Sequence, residues 1–254
     1  MTTDAGVRCS AVLLDVDGVL VTTEGAVLEL WAEVCARRGR AAPGEESSTH
    51  IVGCSPEHTV RHLFPEADAA GVEEVLAIVR TLEPGLRSAP VPGAADLVRG
   101  LHAAGVPVAL VTGASRERLA AVVGALGLHD EVTATVTWGE THGKPSPDPY
   151  VLAARRLGLD AADCVVVEDA PAGVTSAVTA GATCIGLAPP ASAERSALEQ
   201  AGAAAVVGTV LDLRVSASAP APGTTAYAVR LGEHAYLTAG ANDPAQSAPR
   251  EEPS

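Results

Sequence analysis

The sequence predicts an α/β fold: a parallel sheet with helices on both faces, interrupted after its first strand by a helical insert. Three observations predict it. Short apolar runs recur along the chain with helical patterns between them, the alternation of a sheet built from strand–helix–strand units. Hydrophobic residues make up 47% of the chain but aromatic ones only 2%, so the core is Ala, Val and Leu, which suits helices packed on a parallel sheet. Finally, about ninety residues separate the first apolar run from the second, far more than a crossover helix needs.

Residues 11–14 form the first strand. Within the long gap, Val27, Leu30, Trp31 and Val34 follow helical spacing up to Gly39. Ser55 and Pro56 supply the N-cap and first turn of a second helix carrying Val60, Leu63 and Phe64, and Val72, Val75, Leu76, Val79 and Leu82 mark a third. Glu83-Pro-Gly-Leu-Arg-Ser-Ala-Pro-Val-Pro-Gly93 reads as a return linker. The insert is therefore a small helical domain over residues 22–89, hinged at 22–25 and 84–92, and the core comprises 8–21 and 90–215.

Core strands continue at 106–111, 132–136, 164–167, 183–187 and 205–207. After the first of these, Ser115 caps a helix whose apolar face is Leu119, Val122, Val123 and Leu126, ended by Gly127. A further helix begins at Pro149 and runs to Gly158. From residue 216 the chain turns to Ser, Ala, Pro and Gly, so 216–254 is expected to be a largely disordered tail with a weak hairpin over 227–237.

A net charge of −14 argues against nucleic acid and anionic membranes as partners. The five cysteines, Cys9, Cys35, Cys54, Cys164 and Cys184, contain no C-x-x-C pair and read as reduced, mostly buried filler. The N-terminus has no basic segment followed by an apolar stretch, and no run is long enough to span a bilayer, so a cytoplasmic protein is expected, a monomer or weak homodimer.

Against that background four sites stand out. The run Ala11-Val-Leu-Leu-Asp15-Val-Asp17-Gly18 ends an apolar strand in two acids, which are costly there unless they hold a cation or do chemistry. Leu110-Val-Thr112-Gly113-Ala114 places a hydroxyl at a second strand end, with backbone donors after it. Gly143-Lys144-Pro-Ser-Pro-Asp-Pro-Tyr150 contains the chain's single lysine among seventeen basic side chains, a compact point charge where every other position uses arginine. Val165-Val-Val-Glu168-Asp169 again closes a strand with two acids.

The order of these sites resembles the haloacid dehalogenase superfamily, in its branch with a helical cap inserted after the first strand, over residues 10–215. The resemblance implies a Rossmann-like core and a phosphoryl-transfer site. In it Asp15 is the nucleophile, Asp17 is the general acid and base, and Thr112 and Lys144 act on the phosphoryl group. Gly18, Thr112, Gly113 and Lys144 would bind phosphate. Asp15, Asp17 through its backbone carbonyl, Glu168 and Asp169 would hold Mg2+. The substrate implied is a small phosphorylated metabolite.

Within that superfamily the cap does most of the choosing. It contains no lysine, which excludes the Schiff-base phosphonate hydrolases, and the full acidic set disfavours the metal-free dehalogenases. The β-phosphoglucomutase-like enzymes carry a histidine about ten residues after the second aspartate and an arginine after a Gly-x-Ser turn. Here Val27 and Pro56 stand in those places, so a sugar or polyol phosphatase is expected, with the mutase as the alternative. His58 and His62, at i and i+4 on a cap helix, read as cap-surface residues; His142, just before Lys144, is a candidate for the pocket mouth but reads first as an ordinary loop histidine, and Glu83 and Arg61 are further candidates for substrate contact.

Overall fold

The computed structural model describes residues 6–216, 227–231 and 236–237. In chain order the strands are β1 (Gly6–Cys9), β2 (Ala11–Leu14), β3 (Val21–Thr22), β4 (Ala89–Pro90), β5 (Val108–Val111), β6 (Ala134–Val136), β7 (Cys164–Glu168), β8 (Thr183–Leu187), β9 (Ala205–Val207), β10 (Leu213–Ser216), β11 (Tyr227–Leu231) and β12 (Tyr236–Leu237). The helices are α1 (Glu24–Arg37), α2 (Pro56–Leu63), α3 (Ala69–Leu82), α4 (Ala94–Ala103), α5 (Arg116–Leu126), α6 (Asp148–Arg156), α7 (Pro171–Thr179) and α8 (Ala193–Gln200).

The central sheet has the order β12-β9-β8-β7-β2-β5-β6, parallel except for β12. In β2, Val12 and Leu14 join one apolar cluster with Val98 and Leu101 of α4 and Leu119 and Val122 of α5. Ala11 and Leu13 join the other, with Tyr150 and Ala153 of α6, Val174 and Ala177 of α7 and Leu198 of α8. A strand buried on both faces has no place for charge along its length, so its acids fall at its end. Four neighbouring strands, β7, β2, β5 and β6, thereby bring the residues that follow them to one edge of the sheet.

The helical insert leaves and returns through the two-stranded antiparallel ribbon of β3 and β4, where Thr22 pairs with Ala89 and Val21 with Pro90. Helices α1, α2 and α3 close on a cluster of their own, with Trp31, Val34, Val60, Phe64, Val75 and Val79 at its centre. Ser55 caps α2 by accepting the His58 N–H, and Ser115 caps α5 by accepting the Arg118 N–H. Gly127 ends α5 at φ +64°, a left-handed position that glycine takes without strain.

The chain ends depart from the sequence reading. Tyr227–Leu231 does not fold back on Tyr236–Leu237: it lies between Gly6–Cys9 and Leu213–Ser216 in a separate antiparallel sheet, while Tyr236–Leu237 pairs with β9 at the edge of the main one. These strands are two to five residues long and pair across gaps of up to about 220 positions, so nothing local announces them. The rest of the expected disordered tail lies outside the described residues. The five cysteines are free, and four of them are buried. No helix among the described residues is long and apolar enough to cross a membrane.

Candidate active site at the sheet edge

Asp15 follows β2 and is 4% exposed. Its Oδ1 accepts a hydrogen bond from Lys144 Nζ at 2.5 Å, and Lys144 also donates to Glu168 Oε1 at 2.6 Å and to the Val111 carbonyl at 3.2 Å. Three donors on one ammonium meet three acceptors, an arrangement that a planar arginine fork cannot copy in the same space. Lys144 is reached from the loop between β6 and α6, which Glu140 ties down by accepting from Thr137 N, from Thr137 Oγ1 and from Arg156.

Glu168, wholly buried at the end of β7, accepts four hydrogen bonds. Lys144 and Tyr150 Oη, the latter at 2.7 Å, share Oε1; the Asp169 and Ala170 backbone N–H groups share Oε2. Its acceptor sites are thus filled, and it holds Lys144 and the turn at Asp169 in place. By contrast, among the described residues the Asp169 carboxylate receives no hydrogen bond and Asp15 receives only that of Lys144. One oxygen from each of Asp15, Glu168 and Asp169 lies within 4.8 Å of the others.

The charges do not balance. Three carboxyl groups face one ammonium, so full ionisation would leave two uncompensated negative charges in a buried cluster. Burial pushes the Asp15 carboxyl up to about 8 against the pull of Lys144, with the charges of Glu168 and Asp17 adding to the rise. Asp169 is pushed well above the carboxylate range by burial and by Asp15 and Glu168. For Lys144 burial acts downward, but Asp15 and Glu168 outweigh it and keep the ammonium charged. Burial and the charge of Glu168 hold the Tyr150 hydroxyl protonated, so it remains a donor.

Asp17 stands beside this cluster, its carboxylate turned elsewhere. Oδ1 accepts from Thr23 Oγ1 at 2.8 Å and from Arg118 Nη2 at 2.8 Å, and Oδ2 accepts from Thr112 Oγ1 at 3.3 Å. Its side chain therefore does not join the cation cluster. Thr112 in turn accepts the Ala114 N–H, so that backbone donor is engaged within its own turn. Gly18, at φ +87°, is required by Asp169: a Cβ there would stand 1.7 Å from Asp169 Oδ2. Gly113 faces the insert, 3.3 Å from its Cys54 carbonyl when given a Cβ.

The insert sits directly over these groups. Ser55 N donates to the Lys144 carbonyl at 3.3 Å, and Trp138 Nε1 donates to Glu57 at 2.6 Å. A cavity of about 80 Å³ remains between the two parts, with Asp15, Asp17 and Lys144 on the core side and Val27, Leu30 and Trp31 on the other. His58 and His62 do not reach it; both stack on His50, with ring centroids 5.4 and 3.9 Å away. His142 is exposed and pairs with Asp148, and Arg61 is exposed on α2.

Sequence reasoning missed two residues and undervalued a third. Arg118 lies in the first turn of α5, where the helix dipole disfavours a cation; that mismatch was a usable signal for an acidic partner, which proves to be Asp17. Tyr150 closes the run that contains Lys144, but only the packing of α6 shows that it reaches Glu168. Glu83 lines the cavity.

A parallel sheet whose strand ends gather two acidic pairs, a buried lysine and a hydroxyl under a helical insert defines a hydrolase of the α/β type. Residues 9–181 match the haloacid dehalogenase-like hydrolase family, and the chain belongs to it. Hexitol phosphatase A of Escherichia coli K12 is 38% identical over 192 residues, covering 74% of this chain and 87% of that one. Fructose-1-phosphate phosphatase of the same organism is 29% identical over 181 residues, covering 68% and 94%. Among solved structures, a putative β-phosphoglucomutase from Bacteroides vulgatus superimposes with a TM-score of 0.65 at 25% identity, covering 77% and 82%.

Proposed function

We propose that this hydrolase is a magnesium-dependent phosphatase of small phosphomonoesters, of the sugar or polyol phosphate class, acting through an aspartyl-phosphate on Asp15. The observation that carries the proposal is the pair of open carboxylates, Asp15 and Asp169, beside a fully engaged Lys144. The relatives that are phosphatases support a phosphoric monoester hydrolase, and two of them are named for sugar or polyol phosphates.

The residues fit a small hard cation. The donors are all oxygens, two of the carboxylates are open, and the charge left over when all three acids ionise is that of one divalent ion. Asp15, Asp169 and the Asp17 backbone carbonyl would hold it, with Glu168 setting the charge around them. When bound, the ion supplies positive charge that reduces repulsion between the nucleophile and an anionic substrate.

Asp15 attacks phosphorus while the ester P–O bond breaks, and Lys144 neutralises charge on nucleophile and phosphoryl oxygens together. Asp17, once it leaves its ion pair with Arg118 and is protonated, gives a proton to the leaving oxygen. It then takes one from the water that attacks the phosphoryl group on Asp15, which releases inorganic phosphate and restores both carboxyl groups. Thr112, Gly113 and Gly18 would receive phosphoryl oxygens. The seated insert excludes water during the first step, and its opening admits the water of the second.

The mutase alternative is disfavoured by the cavity wall. Val27 and Pro56 both line it, in the places where the resemblance implies a histidine and an arginine, and neither side chain can carry a proton or a charge. The test is phosphate release from sugar, polyol and nucleotide phosphates with magnesium or EDTA, beside Asp15→Asn. Metal-dependent release that the substitution abolishes is expected. Conversion of β-glucose 1-phosphate to the 6-phosphate without phosphate release would establish the mutase instead.

A further inference from the structure

Glu83 is the first residue after α3, where the insert turns back toward the core, and it is 5% exposed. Its Oε1 accepts the Ser115 N–H at 2.8 Å, which fixes the carboxylate across the junction between insert and core. Its Oε2 is buried and has no hydrogen-bond partner among the described residues. A buried carboxylate oxygen left unpaired is costly, and this one belongs to a residue that lines the cavity above Asp15 and Asp17.

Arg118 lines the same cavity, and its backbone N–H donates to Ser115 Oγ in the cap of α5. Among the described residues Glu83 and Arg118 form no ion pair with each other; the guanidinium reaches Asp17 instead. Glu83 and Arg118 thus both line this cavity, an acceptor and a donor beside the apolar Val27, Leu30 and Trp31.

We infer that Glu83 is a specificity-determining residue whose Oε2 accepts a hydrogen bond from a hydroxyl on the substrate's carbon chain, while Arg118 faces an oxygen of the same chain. A ligand between these groups must donate to one and accept from the other. A hydroxylated chain does both, an ammonium group donates to Glu83 but has no lone pair to accept from Arg118, and an aromatic ring leaves Oε2 unpaired. The inference rests on the phosphatase reading above and narrows it to polyhydroxylated phosphomonoesters.

Glu83→Gln tests it with little disturbance, because the amide oxygen can still accept from Ser115 while an N–H donor replaces Oε2. The measurement is kcat/KM for glucitol 6-phosphate and for phenyl phosphate, in wild type and variant, with thermal unfolding of both. The expected result is a fall of about tenfold or more in the ratio of glucitol 6-phosphate to phenyl phosphate turnover, carried mainly by KM. An unchanged ratio overturns the inference, either because both activities hold, so that Oε2 meets only water, or because both fall together with the melting temperature, so that Glu83 merely joins insert to core. Greater activity on glucosamine 6-phosphate than on glucitol 6-phosphate in the wild type overturns it as well. Wild-type turnover of phenyl phosphate alone refutes the inference and leaves the phosphatase; release from neither substrate refutes both.

Discussion

Replacing Lys144 by methionine keeps most of the side-chain volume and removes the one cation among three buried or half-buried acids. The native ammonium makes three hydrogen bonds, two of them to carboxylates. At about 1.5–3 kcal/mol for each bond to a charged group, with the carbonyl bond added, the gross loss is about 4–8 kcal/mol. Burying the ammonium costs several kcal/mol in the native protein, and that cost disappears with it, so the net loss on breaking such a pair is about 3–5 kcal/mol. Burial already favours the neutral form of Asp15, and removing Lys144 favours it further, which places the expectation at the low end, near 3 kcal/mol at neutral pH. Urea unfolding at pH 7 without divalent cation reads this directly, with an unchanged slope against denaturant showing that both end states are intact. A loss below about 1 kcal/mol would refute the claim that Lys144 compensates the acidic cluster.

Two other perturbations have a sign set by the structure. Gly173→Ala lies inside α7, where alanine ordinarily stabilises a helix by about 1 kcal/mol; a Cβ there would stand 1.8 Å from Glu168 Oε1, so the substitution should lower the melting temperature, and a rise would refute the tight seat assigned to Glu168. Hydrogen bonding from Arg156, aided by Thr137, holds the Glu140 carboxyl down to about 2 against an ordinary 4.5. Because the folded value is the lower one, its stabilisation is complete above pH 4.5 and is lost as pH falls toward 2. Glu140→Gln should therefore flatten melting temperature against pH over that range, and an identical profile would refute the tether.

Much of the core was legible because burial on both faces leaves a plain trace. Residues 11–14, 183–187 and 205–207 are strands with the expected bounds, and Ser115 and Gly127 frame α5 as their residue types require. The candidate site was legible in position at strand ends, where Asp15, Thr112 and Glu168 stand. Arg118 and Tyr150 were not, because each acts from a helix whose rotation on the sheet fixes what its side chain meets. The edge sheet of β1, β11 and β10 was hidden for a different reason: its register is set by partners at opposite ends of the chain.

The central claim is that phosphorus becomes bonded to Asp15, and the most direct measurement is mass spectrometry of acid-quenched Asp17→Asn enzyme after mixing with magnesium and 4-nitrophenyl phosphate, a substrate whose leaving group departs as a stable anion. Without the base that activates water for the second step, the account predicts that a phosphoryl group accumulates on Asp15. Continued phosphate release with Asp15 unmodified, or a phosphoryl group found on another residue, would contradict it.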